Sequence, residues 1–224
     1  MQLVETHCHT SEVSLCARVP AGQIPALYQQ AGYGAIIVTD HYNHWTLAEL
    51  AADRLTQIAR WLSGYRATKA AGDKIDVTVL LGMELALPDF RGELLVYGVS
   101  EDFLFRHPDL VDSTLERVCR IAGEEGLLVY QAHPFRDNMD RAPAELLHGV
   151  EAFNGNPRHD SRNDRAEEFA ARHGLKRVAG SDFHQLEDVS RGGVWLPDDI
   201  FDNDGLVRYL SAHDAELFTS PQKG

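Results

Sequence analysis

Apolar residues gather along this chain in seven short runs of strand length, at 3–8, 34–39, 77–85, 94–99, 127–132, 150–153 and 177–180. Each is rich in β-branched or aliphatic side chains and too short for an ordinary helix. Stretches with helical spacing lie between them. Ile24, Leu27, Tyr28 and Ala31 share one face ahead of Gly32, which reads as a C-cap. Thr46 and Glu49 fit a capping box, opening a helix that buries Leu47, Leu50, Leu55, Ile58 and Trp61. Val111, Leu115, Val118 and Ile121 line a helix over 110–125, and further helices are predicted over 163–173 and 205–212. Segments 64–76 and 154–164 read as the longest surface excursions. Strand and helix alternate throughout, which predicts an α/β fold with parallel strands. No repeat, linker or break in composition divides the chain, so residues 1–224 read as one domain.

The runs stay apolar until their last residues and then turn ionisable. His7 and His9, Asp40 and His41, Glu84, His133, Asn154, and Asp182 and His184 all fall at the C-terminal end of a run. Alternate residues of a strand share a face, so His7 and His9 point together and Cys8 points away. In a β/α barrel all such ends open on one rim, where barrel enzymes carry their sites. Packing alone does not predict that repeated placement. Imidazoles and carboxylates converging there would form a metal site of borderline nitrogen and hard oxygen donors.

Charge narrows the partners. The 224 residues carry a net charge of -13, which argues against a broad electrostatic grip on long nucleic acid or an anionic membrane. A small anionic substrate stays compatible, because bound cations would offset the charge locally. Cys8, Cys16 and Cys119 form no CxxC pair, Cys8 is expected to be buried behind the site, and no apolar run is of membrane-spanning length. The first strand starts without a basic and apolar leader, so the expectation is a soluble cytoplasmic protein.

The ordered set His-x-His (His7, His9), Thr39-Asp40-His41, Gly82-Met83-Glu84, Ala132-His133-Pro134 and Gly180-Ser181-Asp182-Phe183-His184 resembles the PHP (polymerase and histidinol phosphatase) superfamily. The resemblance implies a distorted seven-stranded β/α barrel of TIM-like form, with two or three divalent metal ions (Zn, Mn or Fe) and phosphoester hydrolysis. It implies a first ion on His7, His9, Glu84 and Asp182, with Glu84 bridging to a second ion that His133 also holds. It implies a third ion on His41 and His184. Two departures stand out. The histidine that members often carry in the motif at Glu93-Leu94-Leu95-Val96-Tyr97-Gly98 falls here at Leu95. Ser-Asp-Gly after the first motif is replaced by Thr10-Ser11-Glu12, which offers Glu12 to the third ion, with Cys16 a weaker substitute. Asp40 reads as an acceptor holding His41 in its tautomer. His44, His107, His148, His159, His173 and His213 read as surface or loop residues.

The implied activity is hydrolysis of a small soluble phosphomonoester by a metal-bound hydroxide. His184, or an adjacent metal-bound water, would protonate the leaving group, and Arg18 and Arg136 would contact the substrate, with Arg158 and Arg162 as further arginines near the same loops. No Cys-x5-Arg loop or Gly-x-Ser-x-Gly elbow points to a protein nucleophile. Two alternatives stand beside this: a nucleotide phosphodiesterase or nuclease, and a degenerate, non-catalytic metal-binding module.

Overall fold

The apolar runs of the first half form β1 (Gln2–Cys8), β2 (Tyr33–Val38) and β4 (Thr78–Leu87), with a two-residue β3 (His41–Tyr42) beside β4. β5 (Phe90–Tyr97), β6 (Leu128–Ala132), β7 (Gly149–Asn154), β8 (Lys176–Gly180), β9 (Gly192–Leu196) and β10 (Glu216–Thr219) follow. The computed structural model describes residues 1–220 and joins these strands in one sheet, ordered β10-β9-β1-β2-β4-β5-β6-β7-β8. β8 comes back beside β1. A Cys8–Phe183 bridge, with Phe183 N donating to His7 O and His9 N to Phe183 O at 3.0 Å each, nearly closes a barrel. Its staves β1, β2 and β4–β8 are the seven expected strands. β3, β9 and β10 are additions that periodicity did not reveal.

One stave runs against the expected parallel order. β5 is antiparallel to both β4 and β6. The reason is local: only Pro88 and Asp89 separate Leu87 from Phe90, and a connection that short makes a hairpin, never a parallel crossover. The start of β5 therefore lies at the same rim as the ends of its neighbours.

The helices are α1 (Ile24–Gln30), α2 (His44–Leu50), α3 (Arg54–Gly72), α4 (Glu101–Arg106), α5 (Leu115–Glu125), α6 (Asn163–His173) and α7 (Asn203–Ala212). The helix expected to open at Thr46 is two helices. Asn43 caps α2, accepting from Thr46 N, and Asp53 caps α3, accepting from Thr56 N. Leu55, expected inside, is exposed. Most of the expected 64–76 excursion is helical, because α3 continues to Gly72. Gly64 is required there: a Cβ would lie 2.5 Å from Asp40 Oδ2 and closer still to Thr10 Oγ1. Inside the barrel, Val4, Ile37, Leu95, Tyr97, Tyr130 and Val178 form one buried cluster with Leu206 and Leu210 of α7. Ionisable groups take over at the rim. No helix among the described residues is long and apolar enough to cross a membrane.

Candidate metal centre

A register irregularity in β1 aims the first two histidines. Pairing with β2 shifts between Glu5 and Cys8. Before the shift, Glu5 faces α1 and accepts from Tyr28 Oη at 2.8 Å; beyond it, His7 and His9 face the barrel mouth. Bulges of this kind re-aim side chains beside functional sites. Glu5 Oε1 satisfies the displaced backbone, accepting from His7 N at 2.8 Å and Ser181 N at 2.9 Å. Burial pushes this carboxyl up to about 7, against the pull of those hydrogen bonds. Gly180 permits the close approach of β8, since a Cβ there would lie 2.5 Å from His7 Cβ. His133 and Asp182 follow their strands at φ 28° and 51°, a left-handed conformation costly for residues with a Cβ and frequent at functional sites.

Glu84 is the hub. His41 pairs in register with it through β3, and Trp61 of α3 fixes that segment by donating Nε1–H to His41 O at 2.9 Å. Glu84 Oε1 lies 3.2 Å from His7 Nε2 and 3.1 Å from His133 Nε2. Its Oε2 lies 3.1 Å from His41 Nε2 and 3.4 Å from His9 Nε2. Asp182 Oδ1 is 3.6 Å from Nε2 of both His7 and His9 and 3.3 Å from His184 Nδ1. The structure thus brings His7, His9, His41, Glu84, His133, Asp182 and His184 together at one rim. His9, His41 and His184 form one ligand-sized group, and His7, Glu84 and His133 another.

Tautomers follow from the surrounding bonds. His7 Nδ1 donates to Glu151 Oε1 at 2.8 Å, leaving the Nε2 lone pair inward. Ser14 Oγ spends its only proton on Asp40 Oδ1 at 2.8 Å, so at 3.2 Å it must accept from His9 Nδ1. His184 Nδ1 donates to the Asp182 carbonyl at 2.9 Å. Lone pairs at Nε2 of His7 and His9 therefore confront carboxylate oxygens. Both nitrogens are buried and neither has a hydrogen bond. Lone pairs face oxygens at 3.2–3.6 Å only with positive charge between them, a proton or a cation. Electrostatics agree. Burial lowers the His7 pKa, but Glu151, Glu84 and Asp182 outweigh it and hold His7 well above its ordinary value. Burial works to raise Asp182, yet His7, His9 and Arg136 keep it well below the usual carboxylate range. His9 is held well below its ordinary value by burial, His184 and His41. The donor set fits divalent cations.

Several residues differ in place from expectation. Glu12 turns away from the cluster, and both its oxygens accept from Ala21 N, at 2.9 and 3.1 Å. Arg18 is exposed, and its backbone N–H donates to His184 O. Leu95 is buried in the barrel core, while Glu93, one step nearer the rim on the same face of β5, has Oε2 3.5 Å from His133 Nε2. Asp40 accepts from Thr10 N and Thr10 Oγ1 at 2.7 Å and from Ser14, so through Ser14 it orients the His9 ring and not the His41 ring, while Ser14 Oγ also accepts from His41 N at 3.1 Å. Arg136 does reach the mouth, donating Nη2 to Asp182 Oδ2 at 2.8 Å and Asn154 Oδ1 at 3.1 Å. Arg158 and His159 also line this cleft of about 200 Å³. Glu151, missed in the sequence, left one signal: an acid inside the apolar run 150–153.

The family model described as PHP-associated matches residues 160–214. Comparison with curated proteins finds no match. Among solved structures, the chain resembles a two-domain protein from Bacteroides vulgatus containing a predicted PHP-like metal-dependent phosphoesterase, with TM-score 0.71 and 16% identity, over 97% of this chain and 64% of that one. It resembles PsfC from Pseudomonas syringae with TM-score 0.68 and 17% identity, over 98% and 91%. It also resembles the lesion-specific endonuclease PfuEndoQ from Pyrococcus furiosus, with TM-score 0.59 and 14% identity, over 96% and 57%. The chain thus spans less than two thirds of the Bacteroides and Pyrococcus proteins. At such identities the likeness is one of fold. The family-model match covers 55 of the 224 residues.

Proposed function

We propose that the protein is a metal-dependent phosphoesterase acting on a small phosphomonoester. The observation that carries this is the pair of buried, unbonded Nε2 atoms of His7 and His9 facing Glu84 and Asp182. Divalent cations bound there would polarise a phosphoryl oxygen and lower the pKa of water towards neutrality. The ligands would be His7, His9, Glu84 and Asp182, then His133, and His41 with His184.

The chain's own groups would bind and orient the ester. Arg136 lines the cleft, and among the described residues no hydrogen bond engages its Nη1, which leaves that donor for an anionic oxygen. Asp182, Asn154 and Ser161 engage Nη2 and fix the guanidinium plane. His184 commits Nδ1–H to a backbone carbonyl, so its Nε2 serves as a ligand, and protonation of the leaving oxygen passes to water in the cleft. The cleft is smaller than most ligand pockets, which favours a compact monoester over a polymer. The endonuclease among the structural relatives keeps a diester in the test.

Mn2+-loaded protein assayed against p-nitrophenyl phosphate and bis-p-nitrophenyl phosphate separates these readings. Faster turnover of the monoester is expected. Preference for the diester would make the protein a phosphodiesterase, and tight metal with neither activity over a broad panel would make it a metal-holding module. His7→Ala and Asp182→Ala should each lose bound metal together with turnover.

A further inference from the structure

We propose that Glu93 completes a second, oxygen-rich cation site with Glu84 and His133, suited to a hard divalent ion such as Mn2+. This rests on the reading that cations occupy the mouth, and it concerns how many and of which kind. Because β5 runs antiparallel, Glu93 pairs across the sheet with Ala132, the residue before His133. Leu95, on the same inward face, pairs with Glu84 one layer deeper. The Glu93 carboxylate is 3.5 Å from His133 Nε2, and its oxygen lies within 4.8 Å of ligand atoms of His41 and Glu84. It is 22% exposed, and among the described residues no hydrogen bond reaches it. Beside Glu84 such a carboxylate is repelled unless a proton or a cation stands between them. A separate observation points to the same spot: His7 Nε2, wholly buried and unbonded, lies 3.2 Å from Glu84 Oε1, the oxygen that His133 Nε2 approaches at 3.1 Å.

The donors differ in kind across the mouth. His9, His41 and His184 offer three nitrogens, whereas Glu84 and Glu93, with His41 or His133 beside them, offer two oxygens and one nitrogen. Imidazole suits zinc, and carboxylate oxygen suits manganese and magnesium. The two ends of the cluster should therefore sort metals differently.

The test uses the 224-residue chain stripped by a chelator, dialysed, and titrated with Mn2+ alone, with bound metal counted by elemental analysis and by loss of the free-ion electron paramagnetic resonance signal. Glu93→Gln should bind one Mn2+ fewer than wild type and keep the remainder. Glu93→His should regain that ion and raise the Zn2+-to-Mn2+ affinity ratio above wild type in competition. Glu93→Gln holding as many Mn2+ as wild type at unchanged affinity would overturn the Glu93 site while leaving the metal centre intact. Wild type that binds no Mn2+ would overturn both.

Discussion

Ser14 has one hydroxyl proton, and its destination decides how His9 meets a metal. Asp40 takes the proton, so Ser14 receives the Nδ1–H of His9. Glu151 does the same for His7 directly. Groups that orient ligating imidazoles commonly govern metal affinity by about 10–100-fold. Ser14→Ala and Glu151→Gln should therefore each weaken Mn2+ binding by about that factor with the fold intact, as read by calorimetric titration beside circular dichroism. The ligand types were legible from the residues, since His7, His9, Glu84 and Asp182 end apolar runs. Their supports were not. Ser14 and Glu5 act through backbone turns and a strand irregularity that no residue pattern announces.

At the scale of elements, β5 shows how a correctly located strand can hide its chemistry. The run 94–99 was visible, but Arg91 and Glu93 interrupt its start, so neither the tight Pro88-Asp89 turn nor the reversed direction could be read. Direction fixes which end reaches the rim, and hence whether Glu93 or Leu95 is the donor position. α3 is a second case. Glycines at 64 and 72 argue against helix by propensity, yet Gly64 is where the helix presses on the Thr10–Asp40 pair. Gly64→Ala should destabilise the protein by about 1–3 kcal/mol through overpacking, measured by urea denaturation, despite alanine's better helix propensity. A third element-scale contact joins α4 to the end of α5. Arg106 and His107 beside Glu125 hold its carboxyl at about 2, below its ordinary 4.5. A depressed acid stabilises the fold above its unfolded pKa and loses that contribution as pH falls through the folded one. The stability difference between wild type and Glu125→Gln should thus be constant near neutrality and shrink from about pH 4.5 towards pH 2 in denaturation curves.

For the whole molecule, an acidic chain nearly closes a barrel around a rim where Glu84, Glu93 and Asp182 converge, with Arg136 and Arg158 as the guanidinium groups of the cleft. Cations that bind only the folded state should stabilise it, by about 2.7 kcal/mol at a free concentration one hundred times Kd. Thermal melts should accordingly move upward with Mn2+ and return after chelation. Anomalous diffraction from crystals grown with saturating Mn2+ tests the central claim most directly. Strong peaks bonded to Nε2 of His7 and His9 and to the carboxylates of Glu84 and Asp182 are the predicted result. Manganese-replete crystals with no peak there, the imidazoles simply hydrogen-bonded to those carboxylates, would contradict it.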